Sequence, residues 1–170
     1  LSLNVSASEL HDAGFVDTLL HTLEGAGVAP SALELEITEP GLMRNTAHAL
    51  EQLRRLRAGA PGLRIALDDF GRGYCSLMHL RDMPIDTLKI DRSFVHEITR
   101  PGQADNACAL LGSVVDLGRN LGLEVVAEGI EQAGQHRAVV ACACDAAQGF
   151  HYSAPLTAEG LEAFAERTSR

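Results

Sequence analysis

Short apolar runs alternate with longer segments of helical period along the whole chain, and this alternation limits the fold more than any other feature. The strands expected from it are Leu1–Val5, Leu33–Thr38, Leu63–Leu67, Thr87–Ile90, Glu124–Ala127 and a brief one at Ala146–Gly149. Between them, Leu50, Leu53 and Leu56 recur on one side of a segment that carries Arg54, Arg55 and Arg57 on the other. Leu110, Leu111, Val114, Val115, Leu117 and Leu121 form a second stripe, of the kind that packs a helix on a sheet. A last helix is predicted after Thr157 as N-cap, with Leu161 and Phe164 turned inward. Glycine and proline punctuate the same boundaries, at Gly25 to Gly27, Ala60 to Gly62, Pro101-Gly102, and Gly118 with Gly122. Continuously apolar strands that alternate with helices point to an α/β fold, with a mainly parallel sheet covered by helices.

A length of 170 residues suits one domain with a sizeable core, and an aromatic share of 4% makes that core aliphatic. The net charge of −9 argues against a nucleic-acid polymer as partner, since a phosphate backbone needs clustered Lys and Arg. No apolar run approaches the ~20 residues that span a bilayer, and no stretch resembles a signal peptide. A cytoplasmic location is therefore expected for this piece, with a membrane anchor left open for a longer parent protein. Of Cys75, Cys108, Cys142 and Cys144, only the last two are close in sequence, and reduced packing thiols are the expected state.

Acidic and amide side chains stand where the strands end. They are Asn4, Glu36 with Glu39, Asp68-Asp69, Asp91 after Lys89, Glu128 with Glu131, and Gln148. In a parallel barrel these ends share one rim, where such folds carry their chemistry. Carboxylates gathered there repel unless a cation sits among them or some are protonated. A single acid after a strand is more simply a helix cap, but Asp68-Asp69 follows an apolar strand and precedes a glycine turn. Lys89, inside the run Leu88–Ile90, demands a carboxylate partner or a water if it is buried.

The motifs themselves are specific. Asn4-Val5-Ser6-Ala7, Glu36-Ile37-Thr38-Glu39 and the run from Asp68 to Leu77 (DDFGRGYCSL) are followed by Leu88-Lys89-Ile90-Asp91-Arg92-Ser93-Phe94-Val95. Ala127-Glu128-Gly129-Ile130-Glu131 and the run from Gln148 to Leu156 complete the series. In order and spacing this resembles the EAL domain family along essentially the whole chain.

The resemblance implies a TIM-like (β/α) barrel of EAL type that hydrolyses cyclic-di-GMP to pGpG with two Mg²⁺ or Mn²⁺ ions. By matching motif, Asn4, Glu36, Asp68, Asp69 and Glu128 would be metal ligands, with Asp68 shared between two ions. Lys89, Glu128 and Gln148 would serve the attacking water, Asp91 would support Lys89, and Glu39 would anchor the loop after Asp69. A homodimer and a GGDEF cyclase or sensory domain in the parent protein are further partners that the resemblance implies. The glycines Gly71 and Gly73 are not a phosphate-binding P-loop, since no G-K-[ST] follows, and are read as giving that loop mobility.

The name-giving Glu-Ala-Leu is absent from residues 1–170. The expectation is thus an EAL domain incomplete at its N-terminus, with about six of eight barrel strands and without one metal-binding glutamate. Arg72 stands where the family motif has Thr, Cys75 where it has Ser, and Ala154 where it has Arg. Residues Ala60 to Gly62 lengthen a turn expected at the far end of the barrel. A receptor that binds cyclic-di-GMP without cleaving it, or a regulatory dimerisation domain, is the alternative to an enzyme. Retention of the acidic residues favours the enzyme.

Overall fold

The alternation becomes six parallel strands joined by helices in the computed structural model, which describes residues 1–73, 76–100 and 102–168. Tyr74 and Cys75 of the loop motif, and Pro101 of an expected turn, lie outside the described residues. The strands are β1 (Ser2–Val5), β2 (Glu34–Thr38), β3 (Arg64–Phe70), β4 (Thr87–Ile90), β5 (Glu124–Ala127) and β6 (Ala146–Ala147). Helices α1 (Ala7–Leu10) and α2 (Phe15–Ala26) follow β1, and α3 (Glu39–Met43) and α4 (Thr46–Gly59) follow β2. Then come α5 (Leu77–Asp82), α6 (Arg92–Glu97), α7 (Ala104–Asn120), α8 (Ala133–Ala141) and α9 (Ala158–Thr168).

Strand order in the sheet equals chain order, from β1 to β6, and every neighbouring pair is parallel. Right-handed crossovers without any reversal of strand order put all connecting helices on one face. The other face is then the inside of a TIM-like barrel wall.

Register decides which residues share that inner face. Asn4 pairs with Glu36, Glu36 with Ala66, Ala66 with Thr87, and Lys89 with Val126. Side chains alternate with period two, so Asn4, Glu36, Asp68, Lys89, Glu128 and Gln148 all belong to the inner side. The amides of Glu128 and Gln148, one residue past β5 and β6, still bond to Ile90 and Ala127 carbonyls, at 3.2 and 2.9 Å. The opposite face carries Leu35, Ile37, Ile65, Leu67, Leu88, Ile90, Val125 and Ala127, all fully buried under the helices. The strands are therefore not continuously apolar, as the sequence reading held, but apolar outward and polar inward. At the N-terminal ends the inner face holds Arg64 bonded to Glu34, Thr87 and Glu124. Ala60 to Gly62 lie at this end, away from the acidic rim.

β3 is longer than expected and contains Asp68 and Asp69 rather than ending before them. Its register with β4 shifts between Leu67 and Phe70, and Asp69 adopts a left-handed backbone with φ 56°. β6 is correspondingly brief and stops before Gln148.

The helices pack as their stripes require, with two exceptions. Leu53 and Leu56 of α4, and Leu111, Val114 and Val115 of α7, are buried, but Leu110 is 55% exposed. Leu161 of α9 is 59% exposed, although Thr157 does accept the Gly160 amide as its cap. Gly118 lies within α7 and not in the turn, which Gly122 makes with φ 73°. A Cβ at Gly118 would sit 2.4 Å from Val125 Cγ2, so the glycine lets α7 lie directly on β5. Gly118→Ala is expected to destabilise the domain by about 1–3 kcal/mol through this clash, despite alanine's better helix propensity. A lower denaturant midpoint with unchanged slope checks it.

Candidate metal centre

Lys89 is the hub of the inner face. It is 4% exposed, with Nζ 2.6 Å from Glu128 Oε1, 2.7 Å from Glu36 Oε1 and 3.8 Å from Asp68 Oδ1. Adjacent strands β2, β3, β4 and the end of β5 thus each contribute one charged group to a single point. Burial opposes its charge, yet the hydrogen bonds to Glu128 and Glu36 outweigh that and raise its pKa above the ordinary lysine value. Lys89 therefore remains an ammonium and a hydrogen-bond donor across the physiological range.

Adjacent residues in a flat strand point to opposite faces, so Asp68 and Asp69 would normally diverge. The bulge and the left-handed φ at Asp69 remove that divergence, a conformation that Asp tolerates better than most residues. Carboxylate oxygens of Asp68, Asp69 and Glu128 consequently lie within 4.8 Å of one another. Burial raises the pKa of Asp69, and the neighbouring charges of Asp68 and Asp91 add to it. Glu128 is likewise raised by burial first, with Asp68 and Glu36 offsetting the pull of Lys89.

Three carboxylates, Glu36, Asp68 and Glu128, thus gather about one ammonium, and Asp69 joins the set beside Asp68 and Glu128. The donor set is oxygen only and carries excess negative charge, which fits hard divalent ions such as Mg²⁺ or Mn²⁺. Because Glu128 and Asp69 hold protons more tightly than ordinary carboxyls, an ion that binds in acid must displace the protons they have taken up there. The expected result is metal affinity that falls as pH is lowered through the raised values and levels off above them. Calorimetric titration of Mn²⁺ in buffers of different ionisation enthalpy measures the protons released; buffer-independent heats would contradict it.

The surrounding residues divide into those that meet this cluster and those that hold its edges. Asn4 stands beside Glu36 by register and is exposed at the rim. Gln148 borders a cavity of about 320 Å³ that Asp69, Arg72, Asp91 and Glu128 also line. Glu39 is displaced from the cluster and 1% exposed, and its carboxylate accepts the amides of Gly71 and Gly73 at 3.3 and 3.1 Å. Gly71 has φ 101° and a Cβ there would meet the Phe94 ring at 2.3 Å, so this glycine serves close approach rather than mobility. Asp91 caps α6 by accepting the Ser93 amide at 3.0 Å, and its carboxylate lies beside that of Asp69. The described contacts of Asp91 go to Ser93, Asp69 and Arg72, because it already belongs to the turn into α6.

The EAL domain family model matches residues 1–155. The chain belongs to the EAL domain family. NbdA of Pseudomonas aeruginosa, named a cyclic di-GMP phosphodiesterase, is 41% identical over 164 residues, which is 96% of this chain and 20% of NbdA. MucR of the same organism is named a bifunctional diguanylate cyclase and cyclic di-GMP phosphodiesterase. It is 39% identical over 161 residues, 95% of this chain and 23% of MucR. The solved MucR phosphodiesterase in complex with c-di-GMP has a TM-score of 0.86 at 38% identity, covering 94% of this chain and 63% of that one. BlrP1 of Klebsiella pneumoniae, solved with c-di-GMP and either calcium or manganese, has a TM-score of 0.80 at 31% identity, covering 91% and 38%. The chain spans about a fifth of the length of the curated relatives it matches.

Within this EAL domain the acids were legible from their places after apolar runs, but two features were not. The bulge at Asp69 has no local sequence signal beyond the doubled aspartate. Arg72 was noted only as a departure from the EAL motif, yet it reaches towards both Asp69 and Asp91, at 4.0 Å each. Among the described residues, no helix of the EAL domain is long and apolar enough to cross a membrane.

Proposed function

We propose that the protein carrying this domain is a metal-dependent phosphodiesterase that hydrolyses cyclic-di-GMP to pGpG in bacterial second-messenger signalling. The observation that carries this reading is the Asp68, Asp69 and Glu128 cluster beside a buried, charged Lys89. It occurs in a chain 41% identical to a named cyclic di-GMP phosphodiesterase.

Asn4, Glu36, Asp68, Asp69 and Glu128 are the residues proposed to hold Mg²⁺ or Mn²⁺. When bound, these ions supply positive charge that stabilises the phosphate oxygens and lowers the pKa of water. Lys89 donates an N–H to the attacking water and aims its lone pair at phosphorus. Its raised pKa bars it from taking the proton. Glu128, made more basic by burial and held 2.6 Å from Lys89, is assigned here as the acceptor of that water's proton. The amide of Gln148 fixes the water from the cavity side, and Asp91 acts as a positioning residue through Asp69. Glu39 pins the loop after Asp69 through the Gly71 and Gly73 amides.

The test is incubation of the whole protein with cyclic-di-GMP and Mg²⁺ or Mn²⁺, with pGpG expected and abolished by chelation. Binding without turnover would favour a receptor, and neither would leave a regulatory role beside a GGDEF or sensory domain or a second copy of the chain. A polypeptide of residues 1–170 alone is expected to hydrolyse little, because it lacks the Glu-Ala-Leu glutamate and its β1 and β6 each have one described neighbour. Rapid pGpG formation by that polypeptide would contradict this.

A further inference from the structure

Arg72 lies at the mouth of the cavity next to the acidic cluster, 59% exposed at its side chain, and holds no hydrogen bond from its guanidinium among the described contacts. Its two ion pairs, to Asp69 and Asp91, are both at the outer limit of 4.0 Å. A fork of five N–H donors is thus drawn to the rim by charge, and among the described residues none of them makes a hydrogen bond.

Its backbone, by contrast, is held on both sides. The amides of Gly71 and Gly73 bond to the buried Glu39 carboxylate, and the Arg72 amide bonds the Asp69 carbonyl at 3.3 Å. Gly71 is further fixed against the Phe94 ring. A long cationic side chain that springs from a fixed backbone loses less freedom on binding than one from a free loop.

The carboxylate cluster is acidic, the cavity beside it is lined by the two cations Arg72 and Arg92, and the site's proposed substrate is a ring with two phosphodiesters. The metal ligands Asp68, Asp69 and Glu128 account for the phosphate under attack. The other phosphate needs a cation at the rim, outside the cluster.

Building on the proposed phosphodiesterase function, the geometry points to Arg72 as the residue that grips the second, uncleaved phosphate of the cyclic dinucleotide. The guanidinium swings a short way from its weak pairs to make a forked hydrogen bond to two phosphate oxygens. Arg72 is then a specificity-determining residue for a substrate with two phosphates, and it takes no part in bond cleavage.

The experiment uses the whole protein and its Arg72→Thr and Arg72→Lys variants. Cyclic-di-GMP binding is measured with Ca²⁺, and Mn²⁺ binding is measured alone. The expected result is a Kd for cyclic-di-GMP about 10- to 100-fold weaker in Arg72→Thr, with a smaller loss in Arg72→Lys. With Mn²⁺ and turnover, KM should rise while kcat stays near wild type. Affinity for Mn²⁺ alone should change little. Unchanged cyclic-di-GMP affinity, above all with tighter Mn²⁺ binding, would make Arg72 a counter-ion of Asp69 and overturn the proposal. A wild-type protein that neither binds nor cleaves cyclic-di-GMP would instead overturn the phosphodiesterase function on which the proposal rests.

Discussion

Asp68→Asn is expected to lower the rate of pGpG formation by more than ~100-fold, because substitutions one shell further out already cost that much at metal sites. The change is nearly isosteric, and the remaining carbonyl oxygen can still accept the Asp69 amide, now bonded at 2.9 Å. The fold should therefore survive. Indeed the metal-free protein should melt no lower than wild type, since one negative charge leaves a crowded set that includes Asp69, Glu128 and Glu36. Activity loss without stability loss is the signature to seek, by product analysis and thermal unfolding on the same sample. Wild-type turnover in this variant would remove Asp68 from the metal set.

Lys89→Met should behave in the opposite way when no divalent ion is present. Removing the ammonium leaves Glu36, Glu128 and Asp68 facing one another in a buried site. Breaking a buried ion pair on one side costs about 3–5 kcal/mol, which is a fall of roughly 6–20 °C in the melting temperature for a domain of this size. Two treatments should recover part of it. Millimolar Mn²⁺ replaces the lost positive charge, and mild acid protonates Glu128, whose pKa burial already raises.

The sign of the acid effect follows from the raised pKa of Glu128. A carboxyl that binds its proton more tightly in the folded state contributes stability at low pH and loses it as pH rises through the raised value. Lys89, raised in the opposite charge class, contributes stability that is lost only on the alkaline side. The wild-type protein should accordingly depend on Mn²⁺ much less than the variant does. A melting temperature in Lys89→Met that is unchanged, or lowered by the same amount with and without Mn²⁺, would refute the counter-ion role.

Much of the site was readable before any coordinates. Glu36, Asp68, Lys89 and Glu128 stand at or just beyond the ends of apolar runs, and a parallel barrel brings such ends to one rim. The buried lysine announced its need for carboxylate partners, and Glu36 and Glu128 are those partners. Even the inward-polar, outward-apolar alternation is written in Glu34-Leu35-Glu36-Ile37.

Other features depended on contacts far apart in sequence. Leu110 and Leu161 have the right period for burial, but period marks a helical face and not whether a neighbour covers its edge. The family resemblance implies that Asp91 supports Lys89, whereas the cap of α6 commits its carboxylate to the Ser93 amide. Local sequence determined the strands, the helices and the chemistry of the rim, because period and residue type act within a few residues. Only the tertiary structure decided how Asp68 and Asp69 come to share one site, since a bulge is set by the pairing of β3 with β4, and that pairing is a property of two strands at once.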